Sequence, residues 1–233
     1  MAKPAEKPLA LVTGVGPGTG AAVVRRFAEG GYRVAMLARD ADRLAALAAE
    51  IPDTIAIPCD VTDPAALDAA LAKVGDPEVV VHNAVGGAFG SFRDVDPAVL
   101  EKNFQVNVMA LLHLARKVTP AMEAAGKGAL IVTGNTSALR GKAHFAAFAP
   151  TKAAQRILAE SLARDLGPRG VHVAYLVIDA VIDVPWTRQR FPEAPDDFFI
   201  APADIAGEVF HLAHQPRSAW TFLTEVRPFR ETW

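Results

Sequence analysis

The residues that first suggest a chemistry form one run, Thr13-Gly-Val-Gly-Pro-Gly-Thr-Gly20, with glycine at positions 14, 16, 18 and 20. Glycines let a backbone turn tightly and bring its N–H groups close to a bulky anion. A helix opening directly after them adds the positive end of its dipole. The ligand such a turn suits is a dinucleotide pyrophosphate. The spacing Gly14-x-x-x-Gly18-x-Gly20 differs from the commoner GxGxxG pattern, and the same glycines would also serve a plain strand-to-helix turn. Context separates the two readings, because a phosphate cradle must come after a strand and open a helix.

The flanking elements supply that context. Leu9–Thr13 is a short continuous apolar run, and Gly18–Gly30 is helical in pattern. The alternation then continues along the chain. Arg33–Ala38, Thr54–Pro58, Glu78–His82, Ala129–Thr133, Val171–Val177 and Ala219–Val226 read as strands too continuous in apolar character to be half exposed. Ala41–Glu50, Pro64–Val74, Pro97–Ala125, Phe145–Leu166 and Pro202–His214 read as helices. Asp63-Pro64 and Asp96-Pro97 place an acceptor before a first-turn proline, and Gly126 and Gly167 supply stops. The pattern predicts a single doubly wound α/β domain over residues 1–233, a parallel sheet of about seven strands with helices on both faces. Ligands of such sheets sit beyond the carboxyl ends of the strands, so functional residues are expected just after each strand.

Composition removes other classes. The chain has 233 residues, 51% hydrophobic and 21% charged, with Lys+Arg 24 against Asp+Glu 26 and a formal net charge of -2. That excludes disorder and offers no basic field for nucleic acid or an anionic membrane. The single cysteine, Cys59, excludes an intrachain disulfide and fits a reducing compartment. The polar, proline-broken start lacks the apolar core of a secretory signal, and the longest apolar runs are too short to span a bilayer. A cytoplasmic location is expected.

Residues just beyond the other strands complete a pattern. Thr13, Gly14, Gly18 and Gly20 match the Thr-Gly-x-x-x-Gly-x-Gly turn of the short-chain dehydrogenase/reductase family, which the chain resembles nearly end to end. Asp60 matches the family's adenine-contacting acid, Asn83-Ala84 its Asn-Ala-Gly (with Val85 for Gly), Asn107 its helix Asn and Lys152 its active-site Lys. The resemblance implies a Rossmann-type domain binding a nicotinamide cofactor through Thr13, Gly14, Gly18, Thr19, Gly20, Arg39, Asp60, Val61, Asn83, Ala84, Lys152 and Val181. NAD-selective members carry an acid at the position of Ala38. Here that position is neutral and Arg39 comes next, whose guanidinium suits a 2′-phosphate, with Arg43 one turn further on. Against this, Pro17 stands where many NADP-binding members have a basic residue, and it withholds an N–H. NADP(H) is favoured over NAD(H).

The family moves a proton with a Tyr four residues before the Lys, a Ser that orients the substrate oxygen, and an Asn that holds a water relay. The Tyr position is Phe148 here, and phenylalanine has no hydroxyl to ionise. The Ser position is Asn135, with Thr136 and Ser137 next to it; a shift of one or two residues would put either into the role, and Asn135 can itself donate. His144, whose plainer reading is a solvent-facing loop residue, Asp179, whose preferred reading is a backbone turn, a water near Lys152 and Asn107, or an imine substrate with its own proton pattern remain as ways to supply the proton. The implied function is an NAD(P)-dependent oxidoreductase transferring hydride between the cofactor and a small apolar carbonyl, alcohol or imine, with a modified proton-donor site. The alternative is a catalytically impaired NADPH-binding sensor or scaffold. A lyase or dehalogenase gains little support, because the Tyr/Arg pair of the family's dehalogenases is missing. Residues 184–200, proline-rich and carrying Trp186, Phe191, Phe198 and Phe199, lie where the family has its substrate lid, with Phe89 and Phe92 as further apolar walls. The spare apolar helix faces and the aromatic tail ending in Trp233 predict a homodimer or homotetramer. The expected partner is a small-molecule substrate, with no metal.

Overall fold

The apolar runs Leu9–Thr13, Val79–His82 and Val171–Ile178 are buried at every position because helices cover both sides of the sheet they form. The computed structural model describes residues 7–231, so Trp233 and most of the polar start lie outside the described residues. In chain order the strands are β1 (Leu9–Thr13), β2 (Arg33–Ala38), β3 (Thr54–Pro58), β4 (Val79–His82), β5 (Gly128–Asn135), β6 (Val171–Ile178), β7 (Val181–Ile182), β8 (Phe199–Ile200) and β9 (Leu223–Val226). The helices are α1 (Thr19–Glu29), α2 (Ala41–Glu50), α3 (Pro64–Val74), α4 (Pro97–Phe104), α5 (Ala110–Ala125), α6 (Ala149–Leu166), α7 (Pro185–Arg190) and α8 (Pro202–Ala213).

Seven strands make one parallel sheet in the order β3-β2-β1-β4-β5-β6-β9. The chain steps outward from β1 to β3, then returns to the other side of β1 as β4. That reversal opens a crevice at the carboxyl ends of β1 and β4, where such sheets bind ligands. Register aligns the edge: Thr13 pairs with Leu37 and His82, and His82 with Val132. Gly14, Ala38, Asn83 and Thr133 therefore emerge together. One apolar layer joins the sheet to α1, α2 and α8 through Phe27, Leu44 and Val209; the other joins it to α3, α5 and α6 through Leu67, Leu114 and Ala159.

The expected caps are present. Asp63 and Asp96 accept from Ala65 N and Ala98 N, each at 2.9 Å. Several sequence expectations need correction. The helix expected over Pro97–Ala125 is broken by a π turn at Gln105–Met109. The helix expected from Phe145 starts at Ala149, since Pro150 belongs in a first turn; the preceding loop instead pairs Gly90 N with the His144 carbonyl at 2.9 Å. Gly167 caps the end of α6 as expected, although with a right-handed φ of -53°, and leads into a 3-10 turn that ends at the left-handed Gly170, φ 87°. The last strand begins at Leu223 rather than Ala219. Arg217–Ala219 forms a 3-10 turn, and Thr221 N donates to Gln215 Oε1 at 2.8 Å instead of to a neighbouring strand. Residues 184–200 are more ordered than a plain loop. They hold α7, and β7 pairs with β8 across their ends. Arg188 is the hub of this segment, donating to both oxygens of Asp183 at 2.7 and 2.8 Å and to Asp196 at 2.7 Å.

Candidate active site

The turn after β1 is built on two glycines that accept no side chain. Gly14 has φ 70°, and a Cβ there would come within 2.5 Å of the Ala84 backbone. A Cβ on Gly20 would lie 2.7 Å from the Gly14 carbonyl. Gly14 N and Val15 N both donate to the Leu37 carbonyl, at 2.8 and 3.2 Å. Asn83 Nδ2 donates to Gly14 O at 2.9 Å, while Asn83 Oδ1 accepts from Thr133 Oγ1 at 2.9 Å. Asn83 and Ala84 thus act as the brace of the turn. Helix α1 opens at Gly18 without a side-chain cap, and the buried Thr19 Oγ1 has no hydrogen-bond partner. Ala21 N already donates to the Gly16 carbonyl at 3.0 Å, which leaves the earlier N–H groups of the first turn to meet a phosphate group. The Thr13 side chain faces the other way, with Oγ1 3.1 Å from His82 Nδ1, and Pro17 is exposed at the tip.

A cleft of about 1130 Å³ runs from this turn along the ends of β2 and β3 to α4. Its far end carries Arg39, Arg43, Asp60 and Val61. Arg39 is exposed, whereas Arg43 is paired with Asp40 at 2.8 Å. Asp60 Oδ1 accepts from Thr62 N at 3.0 Å and Thr62 Oγ1 at 2.8 Å. Its carboxyl is held below the usual range first by the Thr62 N–H bond, then by the Thr62 hydroxyl and the charges of Arg39 and Lys102, against partial burial. Gly86 and Gly87 line the cleft on one side and meet the catalytic candidates on the other.

Those candidates divide into a sealed polar group and an apolar wall. Asn107 sits in the π turn, fully buried. Its side chain accepts from Gly86 N at 2.9 Å and donates to Gly86 O and Thr151 Oγ1, both at 2.8 Å. Lys152 is 2% exposed; its amine donates to the Thr133 carbonyl at 3.2 Å and to Gln155 Oε1. Burial pushes that amine down to about 7. His82, buried beside it, is pushed down to about 3, first by burial and then by the Lys152 charge. Phe148 is buried at the start of α6, its ring 6.3 Å from that of Phe145, which stands edge-on to Phe89 at 5.3 Å. A Cβ on Gly87 would lie 3.8 Å from the Phe148 ring.

The remaining candidates sit around this centre. Asn135 ends β5 and accepts from Ser137 N at 3.1 Å, with Thr136 between them in a 3-10 turn. His144 is exposed on the loop before α6. Asp179, buried after β6, lies 3.8 Å from Arg140 and keeps Oδ2 without a hydrogen-bond partner. Val181 begins the short ribbon with β8. A Cβ on Gly18 would meet Val184 at 2.8 Å, so the segment after β7 packs on the glycine turn. Sequence reasoning missed Gln155, Thr151 and Tyr175. Gln155 had a signal, a polar residue one helical turn after Lys152; Tyr175, inside a continuous apolar strand, had none.

Comparison with known proteins agrees with this geometry. A family model described as short chain dehydrogenase matches residues 8–193. A 1-deoxy-11-beta-hydroxypentalenate dehydrogenase of Streptomyces avermitilis is 36% identical over 230 residues, 94% of this chain and 82% of that protein. The crystal structure of a short-chain dehydrogenase from Rhodopseudomonas palustris is 31% identical with a TM-score of 0.83, covering 95% of this chain and 99% of its own. A metagenomic short-chain oxidoreductase solved in complex with NADP is 29% identical with a TM-score of 0.83, covering 97% and 99%.

Proposed function

The chain belongs to the short-chain dehydrogenase family, and from that membership we propose that it is an NADP-preferring oxidoreductase whose proton-donor site is modified at Phe148. The observation that carries the reading is the cleft itself, lined by Gly14, Val15 and Gly16 of the turn that leads into the uncapped start of α1 at one point and by exposed Arg39 at another. Bound there, the dinucleotide would supply or accept hydride. The first turn of α1 takes the pyrophosphate, Arg39 the 2′-phosphate, Asp60, Val61 and Ala84 the adenosine end, and Val181 and Lys152 the nicotinamide end. The NADP complex of the metagenomic relative supports the cofactor choice.

Phe148, Phe145 and Phe89 give the substrate side an apolar wall, which suits a small apolar carbonyl, alcohol or imine. Asn135, Thr136 or Ser137 orients the substrate oxygen, and residues 184–200 close over it as a lid within one domain. A homodimer or homotetramer belongs to the same reading, with exposed Phe104 on α4 and Ile157 on α6 as apolar side chains a second copy could cover. Among the described residues no helix is long and apolar enough to cross a membrane, which is in keeping with a cytoplasmic enzyme. One observation favours a second reading, an NADPH-binding sensor without turnover: the buried residue at 148 carries no hydroxyl.

The two readings separate on one measurement. NADPH binding is monitored by fluorescence, then its oxidation against ketones, aldehydes and imines, for wild type, Phe148→Tyr and His144→Ala. Turnover by wild type supports the enzyme. Binding without turnover, with activity gained in Phe148→Tyr, gives the sensor. Equal activity in His144→Ala removes that imidazole as the donor, and no binding of NADPH at all refutes both.

A further inference from the structure

Lys152, Gln155, Asn107 and Tyr175 are joined in a buried polar cluster, and Gln155 is the member to which the proposed function gives no ligand. Gln155 stands one turn of α6 beyond Lys152, and the two are 0% and 2% exposed. An amide sealed from water must find partners at both ends, and here each end meets the site. Gln155 Oε1 accepts from the Lys152 amine and from the Tyr175 hydroxyl, the latter at 3.3 Å. Gln155 Nε2 donates to the Asn107 carbonyl at 2.7 Å, inside the π turn.

We propose that Gln155 is a positioning residue: its amide fixes the Lys152 amine to the floor of the site, ties it to the turn that carries Asn107, and so sets the charge state Lys152 presents. The proposal deepens, and rests on, the reading of Lys152 as a site residue. Among the described residues, the titratable and charged groups linked to that amine directly or through Tyr175 come from three elements. They are His82 on β4, whose imidazole is held neutral by burial; Tyr175 on β6, whose hydroxyl burial pushes up; and Arg156 on α6, whose charge acts on Tyr175. None of these is an anion at neutral pH. What favours the ammonium is therefore a pair of neutral acceptors, the Thr133 carbonyl and Gln155 Oε1.

The test reads the amine directly in the cofactor-free protein. Lysine is labelled with carbon-13 at its ε-carbon, and the Lys152 resonance is identified by its loss in Lys152→Met. Its titration is compared in wild type, Gln155→Met and Gln155→Glu, all of similar side-chain length. Loss of the acceptor in Gln155→Met is expected to move the midpoint down, and the carboxylate of Gln155→Glu to move it up, each by about one pH unit. A role in packing alone would move neither, or both in one direction. Coincident titrations, or shifts of the same sign, in folded proteins overturn the proposal. Should Gln155→Met not fold, an unshifted or lowered midpoint in Gln155→Glu overturns it alone. A failure of NADPH to bind wild type would refute the cofactor reading and leave this titration untouched.

Discussion

Replacing Arg39 by alanine tests the cofactor assignment most sharply. The residue comes directly after β2 at the lip of the cleft, and its charge reaches Asp60 across the far end of that cleft. A hydrogen bond between charged partners is worth roughly 1.5–3 kcal/mol. Arg39 is exposed, so solvent and salt screen it and the lower figure applies. A loss of about 1.5 kcal/mol raises the NADPH Kd about tenfold. NADH has no phosphate at that place, and its Kd should change by about twofold or less, as for an ordinary surface substitution. Arg43 is already paired with Asp40 at 2.8 Å, so Arg43→Ala should discriminate less between the two cofactors. The assay is a fluorescence titration of both reduced cofactors at two salt concentrations, and the NADPH preference of wild type should shrink at the higher one. Parallel losses for NADPH and NADH, or no loss in either, would refute the assignment of Arg39 to the 2′-phosphate.

Two further outcomes concern stability. In Gly134→Ala the new methyl would be driven into the fully buried Tyr175 ring, whereas Gly141→Ala meets nothing within 4 Å. The first should cost about 2 kcal/mol, roughly 4–8 °C in thermal midpoint for a chain of this length, and the second almost nothing; equal midpoints would show that the ring moves aside freely. The Lys152 amine has a folded value of about 7 against 10.5 in the unfolded chain. Between those values the unfolded chain binds a proton that the folded chain has shed, so stability should rise with pH across that window. Denaturant titrations of wild type and Lys152→Met from about pH 7 to 10 check this; identical pH slopes would mean the amine is not desolvated. His82, at about 3 against 6.5, should add acid lability over the lower window by the same sign.

The parts of the fold legible in the sequence are those set by local chemistry. Strands covered on both faces show as unbroken apolar runs, and Asp63 and Asp96 announce their caps because an acceptor before proline has few other uses. The glycine turn was legible for a similar reason, since Gly14 and Gly20 leave no room for a Cβ. The π turn was not. It inserts no residue type that differs from a regular helix, and it is fixed by tertiary bonds from Asn107 to Gly86 and Thr151. Of the site, the cradle could be read because it is contiguous in the chain. The Lys152–Gln155–Tyr175 group could not, because β6 brings in Tyr175 from an apolar run where nothing marks it as polar in use.

These two halves meet at Phe148, where backbone and side chain answer to different neighbours. The Phe148 carbonyl accepts from Thr151 Oγ1 at 2.8 Å, and that hydroxyl accepts in turn from Asn107 Nδ2 at 2.8 Å. The main chain at this position is thus fixed by α6 and the π turn, whatever side chain it carries. The ring belongs to the aromatic wall with Phe145. A tyrosine here should keep the backbone in place and change only the chemistry of the wall, which makes Phe148→Tyr a clean probe of proton supply rather than of folding. It also constrains the native protein. Lys152 is buried and already engaged with Thr133 and Gln155, and the ring at position 148 has no hydroxyl to carry a proton forward. In the proposed enzyme the proton for the substrate therefore comes from a group other than the side chain at position 148.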